Sequence, residues 1–311
     1  MIIPCYNEAA TIGRVIENIK RTRPNLTVYV YDNNSTDETS HVASRQGAIV
    51  REEKSQGKGN VVRRMFADIE ADIYVLIDGD DTYATEDLNR LIEKLLSHNL
   101  DMVTGCRIEK EPEAYRFGHR FGNRLLSGIT RLLFGEQSSD LLSGYRVMSR
   151  RFVKSFPAIS SGFEIETELT IHALSLNIPI AEVATTYRKR PAGSTSKLNT
   201  YRDGARILAT ILLFTKEERP FLFFSLLSLA LASLSIYLGV PLAIEFFETG
   251  LVPRFPTAIL SASIMLLASL SLTTGMILDS VSRGRREQKR LAYLNLNWLK
   301  SSPSLTEKSY Q

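Results

Sequence analysis

Short apolar runs alternate with amphipathic stretches through the first hundred residues. Met1-Ile2-Ile3-Pro4, Leu26–Tyr31, Ala48–Arg51, Ile73–Ile77 and Asp101–Gly105 read as strands. Between them, Ala9–Arg21, Thr36–Gln46, Asn60–Glu70 and Glu86–Ser97 carry apolar residues at helical spacing. Ser35 and Glu38 stand in capping-box spacing before the second helix, and Gly47 ends it. The order β-α-β-α-β-α-β-α-β predicts an α/β, mostly parallel sheet, because parallel neighbours need helical crossovers. Met1–Pro4 is short for a first strand, so a late start or a trimmed strand is expected, and no signal-peptide pattern precedes it.

The pattern changes after Arg219. Charge nearly vanishes across Phe221–Ile244 and Thr257–Leu278, each longer than the roughly 20 residues that cross a bilayer. Serines and Pro241 in the first stretch are tolerated in a membrane helix, where hydroxyls bond to backbone carbonyls; two buried helices of a soluble core are the alternative. Lys216 and Arg219 precede the pair, and Arg283, Arg285, Arg286, Lys289 and Arg290 follow it, while the connecting loop Glu245–Pro256 carries only Arg254. This asymmetry predicts an integral membrane protein with both termini in the cytoplasm. Tyr201–Phe214 pairs Arg202 and Arg206 with apolar residues, as a helix resting on a bilayer would. The chain thus divides into an α/β domain (1–199), an interface helix or linker (200–220), a two-helix hairpin (221–279, spans about 221–244 and 257–278) and a basic tail (280–311), in which Tyr293 and Trp298 are candidate membrane-interface anchors above a frayed end.

Composition adds little to this division. The net charge of +4 and pI near 9.0 follow from the basic residues flanking the hairpin, and no nucleic-acid motif is present. Cys5 and Cys106 have no C-x-x-C spacing and predict reduced thiols without zinc.

Candidate chemistry gathers at strand ends. Ile73–Ile77 runs into Asp78-Gly79-Asp80-Asp81, and ligands of open parallel sheets bind beyond the carboxyl ends of strands. Asp78 and Asp80 suit Mg²⁺ or Mn²⁺ completed by substrate phosphates; an acidic turn is the alternative. Tyr6-Asn7-Glu8, Asp32-Asn33-Asn34 and Lys58 follow the other strands, so all are expected along one sheet edge, where a diphosphate with a metal would fit. Gly57-Lys58-Gly59 is not a Walker loop.

Pro4-Cys5-Tyr6-Asn7-Glu8, Asp32-Asn33-Asn34-Ser35-Thr36-Asp37, Lys58-Gly59 and Asp78-Gly79-Asp80 resemble the successive motifs of inverting family-2 glycosyltransferases of the GT-A (Rossmann-like) fold. Asp140-Leu141-Leu142-Ser143-Gly144-Tyr145-Arg146 and Arg190–Lys197 resemble two further motifs, so roughly the first two hundred residues are covered in fixed order. A membrane hairpin after such a domain is similar to the polyprenyl-phosphate branch, which includes dolichyl-phosphate mannose and glucose synthases and bacterial undecaprenyl-phosphate sugar transferases. The resemblance implies a hexosyltransferase with a nucleotide-sugar donor and a lipid phosphate acceptor, in the plasma membrane of a prokaryote; a homo-oligomer is compatible with it. It implies that Pro4, Tyr6, Glu8, Asp32, Asn34, Lys58, Asp78, Gly79 and Lys197 bind the nucleotide sugar. Asp78 and Asp80 would hold the metal and act in catalysis with Arg190. Ser143 and Arg146 would lie at the acceptor phosphate. Thr82 stands where mannose synthases of the family have a metal-approaching glutamine, and the Arg190–Lys197 motif is one residue longer than the family pattern.

Tyr115–Phe134 interleaves arginines with Phe121, Leu125, Leu132 and Leu133, the pattern of a helix at headgroup depth. An ordinary solvated helix is the alternative. A lipid phosphate must be met there by cations, so Arg107 and Arg124 join the acceptor candidates. Glu164, Glu166 and Glu168 should diverge because a helix starts among them, with Glu166 the one expected at the site. His41, His98, His119 and His172 lack catalytic or metal spacing. A polyprenyl phosphate is already an anion and needs no general base. Two rival readings are a processive polysaccharide synthase, against which stands the absence of Q-x-x-R-W around the single Trp298, and a catalytically silent nucleotide-binding scaffold. UDP-glucose, UDP-N-acetylglucosamine and GDP-mannose stay open as donors, with the balance towards a UDP-sugar.

Overall fold

A computed structural model of the chain describes residues 1–109, 140–191, 209, 212–213 and 215–298. By contacts it groups into two units, Met1–Thr210 with Lys289–Gln311, and Ile211–Gln288.

In the first unit the elements run β1 (Ile2–Cys5), α1 (Ile12–Thr22), β2 (Tyr29–Asp32), α2 (Thr39–Arg45), β3 (Ile49–Glu52), α3 (Lys58–Asp68), β4 (Ile73–Leu76), α4 (Leu88–Ser97) and β5 (Met102–Glu109), then β6 (Arg146–Ser149), α5 (Arg150–Ser155), α6 (Ile165–Ser175) and β7 (Ile180–Tyr187). They build the expected mostly parallel sheet, in the order β3-β2-β1-β4-β6-β5-β7. Only β6 departs, pairing antiparallel with both β4 and β5 among the described strands.

Alternation of side chains across the pleat splits the core in two. Ile2, Tyr31, Tyr74, Leu76, Met102 and Met148 face one layer with residues of α3, α5 and α6. Their sequence neighbours Ile3, Val30, Val75, Val103 and Val147 face the other, against α1 and α4. Ile12, Val15, Ile16 and Ile19 recur at helical spacing and are all buried, which is why this segment is a helix that covers the sheet. Each fully buried side chain of this kind contributes roughly 1.5–3 kcal/mol, so a one-residue slip of any strand is strongly disfavoured.

From β1 the chain winds to one side through β2 and β3, then returns to the other side at β4. β1 pairs with β2 over four residues, Ile2 to Cys5, but is registered to β4 at the single pair Ile2–Leu76. Pro4, which has no N–H to donate, lies past that pair. The two strands therefore part towards their carboxyl ends, at the switch point where such sheets open a ligand crevice.

The second unit holds α7 (Pro220–Thr249) and most of α8 (Phe255–Leu294), two helices long and apolar enough to cross a membrane. Only 11% and 6% of their most apolar windows is buried, so they do not form a buried core within this chain. Their contact is polar at its centre. Ser228 Oγ donates to Ala268 O at 2.8 Å, Ser235 Oγ to Ser261 O at 2.7 Å and Ser271 Oγ to Phe224 O at 3.2 Å. These hydroxyls thus bond across to the facing helix, whereas Ser263, Ser269 and Thr274 bond within their own. Gly250, at φ 69°, closes α7 in the left-handed conformation.

α8 continues well past the apolar run that ends at Leu278. Arg283 reaches back one turn to Asp279 at 2.7 Å, and good helix formers follow. Its final turns belong to the first unit, where Tyr293 is buried and donates its hydroxyl to Asp101 at 2.7 Å. Trp298 donates Nε1–H to Leu100 O at 3.1 Å. Both aromatics, expected as membrane-interface anchors, are instead held by the two residues that precede β5. The helices expected at 115–134 and 201–214 lie outside the described residues, apart from isolated positions of the second.

His172 on α6 sits edge-on to Phe152 and Phe156, with Nε2 buried and without a hydrogen-bond partner. Burial, followed by the charge of Lys289, lowers its pKa to about 3. The unfolded chain protonates this imidazole below about pH 6.5 while the folded one stays neutral, so folding stability falls by roughly 1.4 kcal/mol per pH unit as pH drops from there towards 3. Denaturation of the full chain in detergent should show that wild type loses about 2 kcal/mol more than His172→Leu between pH 7 and pH 5. Equal losses would mean that the imidazole is solvated.

Candidate active site

Three loops meet beyond the carboxyl ends of β1, β2 and β4, and each contains a non-glycine residue in the left-handed region: Asn7 (φ 53°), Asn34 (φ 63°) and Asp81 (φ 58°). Asn and Asp tolerate that conformation best, which suits these sequences to sharp reversals at strand ends. The loops then brace one another. Asn7 N–H donates to Ser35 Oγ at 2.9 Å, and Asn7 Oδ1 accepts from Thr36 N–H at 2.7 Å. Ser35 is thereby committed to the β1 loop rather than to capping, and α2 starts at Thr39, three residues later than its pattern predicts. Asp32 accepts from Ser35 N–H at 3.0 Å and Ser40 Oγ at 2.5 Å, so both of its oxygens hold this turn together. Thr11 Oγ1 donates to Gly79 O at 2.7 Å, tying the start of α1 to the acidic loop. A Cβ on Gly79 would stand 2.7 Å from Cys5 Sγ, so only glycine lets the acidic loop cross β1 this closely.

The acidic loop is ringed by cations from distant parts of the chain. Lys58, the first residue of α3, places Nζ 2.5 Å from Asp78 Oδ1 and 2.5 Å from Glu166 Oε1. Arg190 places Nη2 2.5 Å from Asp80 Oδ2, with Nη1 3.8 Å from Glu8 Oε1. Arg14 on α1 holds Asp81 at 3.2 Å. The other oxygen of Asp80 accepts from Thr82 N–H and, at 2.6 Å, from Thr82 Oγ1, so this threonine orients the carboxylate. Burial, then the charge of Asp78, raises the Asp80 pKa, with Arg190 and Thr82 opposing. Burial alone would lower the Lys58 pKa, but Asp78 and Glu166 outweigh it and the net shift is upward.

Glycines allow Lys58 its place. A Cβ on Gly59 would lie 2.7 Å from the carbonyl carbon of Ser160, and Gly57 has φ 129°. The Ser160 segment is held in turn by Glu168, which accepts from Ile159 and Ser160 N–H at 2.8 and 2.7 Å. Glu164 accepts from Gly162 N–H. The three glutamates of this run diverge as expected, and only Glu166 reaches Lys58.

β6, which the sequence pattern did not reveal, explains the position of the Asp140–Arg146 motif. Because it runs antiparallel, its lead-in residues come to the same sheet edge as Asp78, and a Cβ on Gly144 would stand 2.9 Å from Asp78 Cγ. Gly144 N–H donates to the hydroxyl of buried Tyr83 at 2.9 Å. Ser143 Oγ donates to Gly105 O at 2.6 Å. Arg146 is fully buried and donates to the carbonyls of Ser143, Leu141 and Glu166 and to Thr170 Oγ1. Both residues, expected at an acceptor phosphate, are buried and serve as internal supports in this structure, with the Arg146 guanidinium enclosed. Arg107 forms a bidentate pair with Asp140, at 2.7 and 2.6 Å, and stacks over Tyr187. The pair lowers the Asp140 pKa despite the raising effect of burial.

Of the other expected residues, Pro4 is half-buried, while Tyr6 and Asn34 are exposed on the loops that follow β1 and β2. Asn34 donates to Lys54 O at 2.8 Å. Arg124 and Lys197 lie outside the described residues. Two hard carboxylates one residue apart fit Mg²⁺ or Mn²⁺, which leave several positions to water and substrate. Among the described residues, no three His, Cys, Asp or Glu side chains group closely enough to hold a metal ion by themselves.

Residues 1–156 match the family model described as Glycosyl transferase family 2. Glycosyltransferase AglJ of Haloferax volcanii is 32% identical over 293 residues, 93% of this chain and 95% of its own. The Dolichyl-phosphate hexose transferase of the same organism is 31% identical over 219 residues, 70% of this chain and 94% of its own. Glucosyl-3-phosphoglycerate synthase from Mycobacterium tuberculosis, solved with Mn²⁺, uridine diphosphate and glucosyl-3-phosphoglycerate, superposes with a TM-score of 0.57 at 25% identity, over 68% of this chain and 77% of that one.

Arg107 and Asp140 have side chains only 12% and 8% exposed. Arg107→Met should cost about 3–5 kcal/mol in denaturation experiments, because it leaves a buried carboxylate without its bidentate partner. Adding Asp140→Asn should recover part of the loss; a single-variant loss below about 1 kcal/mol would mean that water reaches the pair.

Proposed function

Because the chain belongs to glycosyltransferase family 2, we propose that this glycosyltransferase moves a hexose from a nucleoside-diphosphate sugar to a membrane polyprenyl phosphate, with inversion. The observation that carries the reading is the ring of paired charges at the β1–β4 switch point, Lys58 with Asp78 and Glu166 and Arg190 with Asp80 and Glu8, in a chain with two long apolar helices. The similarity to the Haloferax volcanii dolichyl-phosphate hexose transferase supports the lipid class of acceptor.

Asp78 and Asp80 would hold Mg²⁺ or Mn²⁺. Bound there, the cation would neutralise charge growing on the leaving diphosphate. Arg190 and Lys58 stand beside the same carboxylates and would bind diphosphate oxygens, with Lys197 as a further cation. The β1 and β2 loops, carrying Tyr6, Glu8, Asp32 and Asn34, would receive the nucleoside. The acceptor phosphate attacks the anomeric carbon as an anion, so no residue has to remove a proton. Arg107 and Arg124 remain its candidate contacts.

Both termini and the catalytic unit would face the cytoplasm. The one arginine of the loop between the helices, Arg254, pairs with Glu245 at 2.9 Å, which leaves the basic excess at the opposite end of the hairpin.

Purified full-length protein offered UDP-glucose, UDP-N-acetylglucosamine and GDP-mannose with undecaprenyl or dolichyl phosphate should make one sugar-phospholipid, identified by mass. Asp80→Ala should lower that transfer by about 100-fold or more while membrane insertion is retained. Failure with every donor, or an unchanged rate for the variant, would overturn the reading.

A further inference from the structure

Lys58 stands where a divalent cation has to arrive. Its side chain is 9% exposed and bridges Asp78 and Glu166 through one nitrogen. Asp78 is the more open of the two expected metal carboxylates, its side chain 26% exposed against 8% for Asp80. A cation of double charge cannot share an Asp78 oxygen with an ammonium group 2.5 Å away, because the two positive charges would be nearly in contact. Lys58 must therefore give up Asp78 Oδ1 if metal takes that oxygen, and a metal on the other oxygen would still repel the ammonium across a single carboxylate.

Glu166 offers it somewhere to stay. This glutamate is enclosed on α6, 3% exposed, with Oε1 on Lys58 and Oε2 buried without a hydrogen-bond partner. It can keep the ammonium through either oxygen while Asp78 is surrendered. The Gly57 and Gly59 backbone, packed against the Ser160 segment, fixes the base of the lysine stem, so its head has only a short arc to travel.

We propose that Lys58 is a placeholder cation: it occupies Asp78 in the empty site and passes to a diphosphate oxygen, still held by Glu166, when a divalent cation and a nucleoside diphosphate enter together. Glu166 is then a positioning residue that acts through Lys58. The site resists metal alone, because without an incoming anion Lys58 exchanges two carboxylate partners for one in a nearly enclosed position, beside a new double charge. Metal and nucleotide accordingly bind with strong positive coupling, each raising the affinity of the other. The identity of the anion rests on the proposed function; the displacement of Lys58 by metal does not.

Mn²⁺ binding to the full-length protein in detergent, followed by electron paramagnetic resonance with and without UDP or GDP, tests this. Wild type should bind Mn²⁺ weakly alone and about tenfold or more tightly with one of the diphosphates. Lys58→Met should bind Mn²⁺ alone about tenfold more tightly than wild type and lose most of the coupling. The double variant Lys58→Met with Glu166→Gln removes one charge of each sign, guards against unfolding from an unpaired glutamate, and should show the same tightening. Glu166→Gln alone, which leaves Lys58 on Asp78, should show none. If neither lysine variant binds Mn²⁺ alone more tightly than wild type, the placeholder role is overturned. If wild type with Mn²⁺ binds neither diphosphate, the nucleotide reading fails instead, and the Mn²⁺-only comparison still decides the role of Lys58.

Discussion

A carboxylate withdrawn from water has to be given hydrogen-bond donors or a cation, and in the first unit four sets of carboxylates receive cations. Asp78 and Glu166 share Lys58, Asp80 and Glu8 converge on Arg190, Asp140 holds Arg107, and Asp101 holds Arg151 at 2.6 Å. In each set the partners come from separate loops or elements, so the ion pairs close the fold as well as furnishing the site. Such pairs add little net stability over apolar packing, while losing one partner is expensive. The first two sets lie at the carboxyl edge of the sheet, around the gap between β1 and β4, where a charged ligand gains most from them, whereas Asp101 and Arg151 stand at the opposite edge, before β5.

Much of this architecture is legible in the sequence because period-two alternation and helical spacing act locally. Ile2 and Ile3 facing opposite cores, or Ile12, Val15, Ile16 and Ile19 forming one stripe, need no tertiary information. The strand-end clusters follow from the same alternation, since a parallel sheet carries every β-to-α turn to one edge. What stayed hidden depends on long-range pairing. β6 is four residues long and follows a polar turn, so its membership in the sheet is decided by β4 and β5 on either side. Arg146 reads as a ligand contact because arginine is seldom buried, yet here four backbone and side-chain oxygens enclose its fork. The partnership of Lys58 with Glu166 spans more than a hundred residues and leaves no mark in local spacing. Thr82, by contrast, sits two residues from Asp80, and its hydroxyl bond to that carboxylate is the sort of Asx-like contact a short polar residue makes.

The paired helices obey a different economy of polar groups. At the sheet's carboxyl edge, side-chain hydroxyls such as Ser35 and the buried Thr11 knit neighbouring loops together. Between α7 and α8, Ser228, Ser235 and Ser271 satisfy themselves on carbonyls of the opposite helix, in a setting where the apolar faces turn outward. The serines that make the first apolar stretch look less than ideal for a bilayer are the residues that register one helix against the other.

Tyr293 and Trp298 give the chain an order of assembly. The first unit is assembled from two pieces of sequence with the whole hairpin translated between them, and the second piece supplies a hydroxyl to Asp101 and an indole to Leu100. On the ribosome, most of the sheet emerges before the hairpin, but its last core residue and the partner that completes Asp101 emerge after it. Completion of the first unit's core therefore waits on synthesis of the apolar hairpin. A nascent chain that stalls before the hairpin has left the ribosome carries a sheet still missing a piece of its own core.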